Sequence, residues 1–358
     1  MWAVTGWLHP AIRLKISMDQ ADNVMTGVQR MEITTMHWVI FIVAVLFFLA
    51  LDLGVFHREA RKVKFKEALA WSGLWASLAL LFGSFVSVYR GIGEGTEFVT
   101  GYIIELSLSM DNVFVIALIF TYFRVPPAFQ HRVLFWGIMG ALVMRLVMIL
   151  AGAALIKSFH QVLYFFGAFL VYTGVKMLVV DDDGVEPEKN PCIRLARKWF
   201  PVSSDFQGQK FVTVMDGKKA LTPLALVLVM IETTDLIFAL DSIPAIFAVT
   251  QKEFIVFTSN VFAILGLRSM YFVLANAIEY FRYLKYGLSL VLVFIGGKML
   301  AEMWDVKLDT LFSLYIVAAI ITGSVIISFA TARKEPEIIL DDDESDEEEA
   351  PEEENASS

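Results

Sequence analysis

Cysteine is almost absent from this chain: Cys192 is the only one in 358 residues. An intrachain disulfide framework and a thiolate metal cluster are thereby excluded, and Cys192 reads as a bystander thiol in a loop. Charge is scarce too, at 19% of residues against 57% hydrophobic, and the mean hydropathy is +0.64. That balance belongs to a membrane protein and not to a soluble core. No basic stripe with interleaved aromatics occurs, which removes nucleic acid from the expected partners. The formal net charge of −9 comes from one end: residues 341–354 hold eleven acidic residues and no basic one. With those set aside, 29 basic residues face 27 acidic ones. No long apolar run opens the chain, so residues 1–32 read as an extracytoplasmic segment and not as a signal peptide.

What the sequence has in abundance is long apolar runs. About nine read as transmembrane helices, at 36–56, 68–88, 98–122, 133–156, 162–180, 221–249, 254–278, 286–301 and 310–330, since about 20 residues cross a bilayer. Basic residues gather after alternate runs. They include His57, Arg58, Arg61, Lys62, Lys64 and Lys66, then Arg124 and Arg132, then Lys189 through Lys219, then Arg282 and Lys285, and finally Arg333 and Lys334. The positive-inside rule makes these loops cytoplasmic, with the N-terminus outside and the C-terminus inside. The expected fold class is an all-α polytopic membrane protein in a lipid bilayer. Its divisions are 1–32, two helices over 33–89, a repeat over 98–180, a cytoplasmic loop over 181–220, a second repeat over 221–301, a last helix at 310–330, and an acidic cytoplasmic tail, 331–358. The tail lacks aromatics and reads as disordered.

The repeat is carried by two stretches, Glu105-Leu-Ser-Leu-Ser-Met110-Asp111-Asn112 and Asp235-Leu-Ile-Phe-Ala-Leu-Asp241-Ser242. Aligned, they match Glu105 with Asp235, Asp111 with Asp241 and Asn112 with Ser242. Further on, Arg145 matches Arg268, and Gly174-Val-Lys176-Met-Leu matches Gly296-Gly-Lys298-Met-Leu. A duplicated unit of three helices must lie upside down in its second copy, because three is odd. Inverted repeats with a site at their midplane interface are a transporter design.

Carboxylates at bilayer depth cost about 2.5–3.5 kcal/mol each, so a chain that keeps several has a use for them. The candidate ligands of one cation site are Glu105, Asp111, Asn112, Glu232, Asp235 and Asp241, with Asp52, Ser242 and Met110 as lesser candidates. On a regular helix Glu105 and Asp111 lie about 120° apart, whereas Glu232 and Asp235 share a face. Either the helices unwind locally, which Pro244 and the Ser and Asn residues favour, or the two repeats complete the site across their interface. Oxygen donors without His or Cys suit Mn²⁺, with Mg²⁺ or Ca²⁺ as competitors. Five acids cannot all stay charged together, so some carry protons that an arriving metal expels, which predicts cation/proton exchange. No resident cofactor is expected. Arg145 and Arg268 read as counter-charges and helix ties, and Lys176 and Lys298 as side chains that snorkel to the interface. An aspartyl protease is disfavoured, because the Gly-x-Gly-Asp context is missing.

At these motifs the chain resembles the TerC family of bacterial integral membrane proteins, in particular its Alx-type branch. The resemblance rests on Glu105 to Asn112, on Glu232-Thr-Thr-Asp-Leu-Ile-Phe-Ala-Leu-Asp-Ser-Ile-Pro-Ala-Ile-Phe-Ala248, on Thr258-Ser-Asn-Val-Phe-Ala-Ile-Leu-Gly-Leu-Arg268, and on Asn190-Pro-Cys-Ile-Arg-Leu-Ala-Arg197. It implies inner-membrane export of divalent cations, Mn²⁺ first, within a LysE-type exporter superfamily, and an association with tellurite resistance. The alternative is a membrane scaffold, not an enzyme, that partners secretion or stress-response machinery. The sequence leaves open whether the protein forms a homo-oligomer or has a membrane-protein partner.

Overall fold

Helix starts follow from local chemistry. The computed structural model describes residues 33–54, 65–179, 190–215, 217–275, 284–304, 306 and 308–332. Among these, ten α-helices form: α1 (Thr35–Gly54), α2 (Phe65–Arg90), α3 (Ile92–Tyr122), α4 (Pro127–Ser158), α5 (Val162–Val179), α6 (Pro191–Trp199), α7 (Pro223–Phe247), α8 (Glu253–Ala275), α9 (Leu284–Ala301) and α10 (Thr310–Ala332). Strands β1 (Val212–Met215) and β2 (Lys218–Leu221) form an antiparallel hairpin. Pro127 and Pro223 open α4 and α7 at a position where the missing N–H is no loss. The Thr222 hydroxyl accepts from the Ala225 N–H at 3.4 Å, and the Asn190 side chain accepts from the Cys192 N–H at 2.9 Å, capping α7 and α6. Gly91, at φ +101°, makes the turn between α2 and α3.

Eight of the described helices, α2 to α5 and α7 to α10, are long and apolar enough to cross a membrane. Helix α1 is apolar over Thr35–Ala50 and has 20 residues, about 30 Å of helix. The protein is therefore a multi-pass, nearly all-helical membrane protein, as the sequence led us to expect. Val39, Leu81, Val143, Ile237 and Ile326 are exposed on the outer faces of these helices, where lipid replaces protein contacts. Residues 1–32, the basic residues at 57–64, residues 181–189, Arg282 and the tail from Arg333 lie outside the described residues.

The structure adds detail to the reading in two places. The loop expected at 181–220 contains α6 and the hairpin, in which Val212 faces Leu221 and Met215 faces Lys218. Ile193 of α6 is buried with Leu224 and Val227 at the base of α7. Of the two alternatives for the acidic motifs, local breaks are absent, since α3 and α7 run unbroken through them, and the repeats instead meet across their interface at Asn112 and Asp235. Pro244 stands in the last turn of α7, where the lost N–H interrupts little of the ladder.

Helix pairing crosses between the two copies. Helix α3 packs on α8, α4 on α7, and α5 on α9, while α3 also crosses α7. The α3–α7 crossing is antiparallel: a Cβ at Gly101 would lie 3.6 Å from Ile246, and Asn112 meets Asp235. Helices α5 and α9 are antiparallel too, and their contact repeats itself. Gly174 lies against the Ser289 carbonyl and Val293; Gly296 lies against the Gly167 carbonyl and Val171. Gly167, Val171 and Gly174 stand in the same spacing as Ser289, Val293 and Gly296. One copy therefore contacts the other as the other contacts it, which is what an inverted duplication requires. Missing side chains let the backbones approach, the usual basis of helix association in lipid.

Candidate ion site

Position along α3 and α7 decides what each acid meets. Ile104 and Leu108 of α3 and Ala239 and Ile243 of α7 belong to one apolar cluster. Val113 and Ile116 of α3 and Val227 and Ile231 of α7 belong to a second. Apolar residues of these clusters flank a polar layer built from four helices. Arg145 of α4, 2% exposed, projects into it. Its Nη1 donates to a Glu105 carboxylate oxygen on α3, to Asn260 Oδ1 on α8 at 2.5 Å and to Ser242 Oγ on α7 at 3.3 Å. Its Nη2 donates to Asp235 Oδ1 at 3.2 Å. Asn112 Nδ2 donates to the same Asp235 oxygen at 2.7 Å.

Buried polar atoms normally find partners, yet this layer leaves several without one. Glu105 Oε2, Asp235 Oδ2, Asn112 Oδ1 and Ser109 Oγ are buried with no hydrogen-bond partner. A small cavity of about 20 Å³ lies beside Asn112 and Asp235, lined by Gly137, Ile138, Ala141, Ile231 and Ile264. Volume on that scale accommodates a water or a bare ion.

The structure divides the other candidates. Glu232, on the face of α7 next to Asp235, rests its carboxylate against Gly140 of α4, where any Cβ would collide with it. Asp241 is half-buried and faces Thr173 and Lys176 of α5. Asp111, half-buried, has an interaction of its own. Met110 lines a separate apolar cavity with Trp75, Tyr102 and Leu106. The side chain of Asp52 lies outside the described residues. Arg268 is buried in α8 and engaged. Lys298 does not snorkel: it is buried, with Glu302 and Asp309 as its nearby opposite charges. Among the described residues no three Asp, Glu, His or Cys side chains converge as a metal-holding group. Glu105 and Asp235, brought together from opposite repeats, have a guanidinium between them. Asn260 is the residue that sequence reasoning did not single out. Its signal is Thr258-Ser259-Asn260, three polar residues in succession inside an apolar helix.

At the end of the fold where α3 begins, Lys252 Nζ lies 2.9 Å from Glu97 Oε2 and 3.4 Å from Glu94, which also pairs with Arg90. A cavity of about 330 Å³ opens there, lined by Glu97, Phe247, Lys252, Met299 and Glu302.

Fold and site together define a polytopic membrane protein with a buried charged layer at the junction of two inverted helical units. The chain belongs to the TerC family: the integral membrane protein TerC family model matches residues 91–336. It is 53% identical to an uncharacterized membrane protein of Myxococcus xanthus, over 84% of this chain and 93% of that one. It is 45% identical to a candidate membrane-bound redox modulator of Salmonella typhi named Alx, over 82% and 94% of the two chains. The Escherichia coli protein of that name is 47% identical over 75% of this chain and 86% of its own. No solved structure matches.

Proposed function

We propose that the protein is a secondary transporter that exports divalent cations, Mn²⁺ first, across the bacterial inner membrane in exchange for protons. One observation carries the reading. Two buried carboxylates, contributed by opposite repeats, each keep an oxygen with no hydrogen-bond partner, in a polar layer flanked by apolar side chains. A carboxylate that ligates a cation must be deprotonated, so cation loading is linked to the loss of any proton these groups carry. Asn112 Oδ1 and Ser109 Oγ add neutral oxygen ligands, and the all-oxygen set suits a hard divalent ion. Glu232 and Asp241 lie at the approaches on α7, and the cavity at Glu97 and Glu302 serves as the outer vestibule.

The relatives named for redox modulation support a second reading, a membrane partner of a stress-response system. Exposed Leu195, Trp199 and Val214 on α6 and the hairpin offer a surface for it. Cells lacking their own manganese exporter distinguish the two. After Mn²⁺ loading, the wild-type protein is expected to lower cellular Mn²⁺, measured by mass spectrometry. Glu105→Gln and Asp235→Asn, at equal membrane abundance, are expected to abolish the effect, and Asp111→Asn and Asp241→Asn to reduce it. Unchanged Mn²⁺ with normally inserted wild-type protein would overturn the export reading.

A further inference from the structure

The mode of Arg145 binding is unusual for a helix tie. A guanidinium that neutralises a carboxylate frequently takes both of its oxygens in a fork. Arg145 instead gives one contact to Glu105 and one to Asp235, so that each carboxylate keeps its second oxygen, and its own Nε has no partner. The geometry leaves the carboxylates half-used and the arginine half-satisfied. Nη1 meanwhile contacts two neutral acceptors, Asn260 Oδ1 and Ser242 Oγ, which stay available to the guanidinium if it gives up the carboxylates. The second repeat has no counterpart of this arrangement on α4. Asn260 precedes Arg268 by as many residues as Gly137 precedes Arg145, and Gly137 lines the small cavity instead.

We propose that Arg145 is a tethered competitor of the transported cation: guanidinium and divalent cation hold the Glu105 and Asp235 carboxylates in turn. This inference rests on the transport reading and deepens it. A guanidinium and a metal ion repel at such short range, so a cation that ligates both carboxylates must move Arg145 toward Asn260 and Ser242. Arg145 thereby weakens cation binding and also supplies the charge that releases the cation. A carrier needs that release, because a site that holds its cation too tightly turns over slowly.

The test compares Mn²⁺ binding with Mn²⁺ efflux. Binding is read on the purified full-length protein in detergent, from loss of the free-Mn²⁺ electron paramagnetic resonance signal. Efflux is read in reconstituted vesicles, and size-exclusion chromatography confirms that each variant is folded. If Arg145 withholds the carboxylates most of the time, Arg145→Gln is expected to bind Mn²⁺ about tenfold tighter, by the fraction of competent sites it restores. The same variant is expected to lose efflux. Arg145→Lys keeps a charge with shorter reach and one donor head in place of the fork, so it covers the case in which the glutamine variant fails to fold. It is expected to bind more tightly than wild type by a smaller factor and to slow efflux. A merely structural arginine predicts the reverse, with binding and efflux weakened together. If wild type binds Mn²⁺ and neither folded variant binds it more tightly, the competitor role is overturned while the transport reading stands. If wild type and both variants bind no Mn²⁺, the transport reading falls and the competitor role falls with it.

Discussion

Single atoms decide much of the chemistry in the polar layer. Glu232 depends on what Gly140 lacks, because a Cβ there collides with the Glu232 carboxylate. Gly140→Ala forces that side chain to another rotamer and crowds the α4–α7 contact. Because the colliding atoms are the far end of a flexible side chain, the expected loss of stability is small, at most about 1 kcal/mol. If Glu232 guides cations toward Asp235, efflux should drop severalfold in the same variant. Thermal unfolding of the purified protein and vesicle efflux separate the two effects. The acids were legible in the sequence because a charged side chain at bilayer depth stands out against apolar neighbours. Which acids share a site was not. Glu105 and Asp111 are too close in sequence for spacing to say which of them meets the other repeat, and only Glu105 reaches Arg145. Asn260 escaped notice because a neutral amide in a helix carries no charge signal. Met110 adjoins Asp111, yet the helical turn of about 100° per residue directs neighbours to different faces.

The element scale is governed by how closely backbones approach. Helices α5 and α9 meet at Gly167, Gly174 and Gly296, each against a carbonyl or side chain of the opposite helix. Because Gly174 and Gly296 occupy equivalent positions, enlarging either should harm the protein equally. Gly174→Leu and Gly296→Leu are each expected to separate the two helices and lower the unfolding temperature of the purified protein by similar amounts, with a cost of at least about 1–3 kcal/mol. A strong effect from one and none from the other would show that the equivalence is one of sequence only. The long helices were legible as apolar runs of sufficient length, although α3 and α4 extend beyond the runs by several residues into polar ends. Helix α6 and the hairpin were missed for a physical reason. Each is short, β2 reads Lys218-Lys219-Ala220-Leu221 with no clean alternation, and packing under α7 holds them in place more than local propensity does. The signals were present in the Asn190-Pro191 helix start and in Gly217, which takes φ +73° at the hairpin turn.

Across the whole molecule, orientation in the membrane sets the meaning of transport. The positive-inside rule predicts that α6 and the hairpin face the cytoplasm. Cys192 at the start of α6 is exposed and is the sole cysteine of the chain, so it reports on that face without any engineering. A membrane-impermeant maleimide is expected to label it in inverted vesicles and not in intact cells. Labelling in intact cells would reverse the assigned orientation, and with it the side from which the polar layer is loaded. Apolar residues flank the layer along each of its helices, and on the transport reading a cation crosses only if one side opens while the other holds. Inverted halves suit that requirement, because the movement that opens one side has a mirror-related counterpart on the other.

The interlocked pairing of α3 with α8, α4 with α7 and α5 with α9 also constrains how the protein is made. The ribosome delivers the first three of these spans to the bilayer before any of their partners exists. The early half waits in lipid without its partner helices, and Glu105 and Arg145, both already synthesised, can neutralise each other there. The late half then completes every pairing at once. Assembly is accordingly a post-insertional event in which two halves clasp, and the covalent link between them matters for delivery in equal number and opposite orientation more than for the clasp itself.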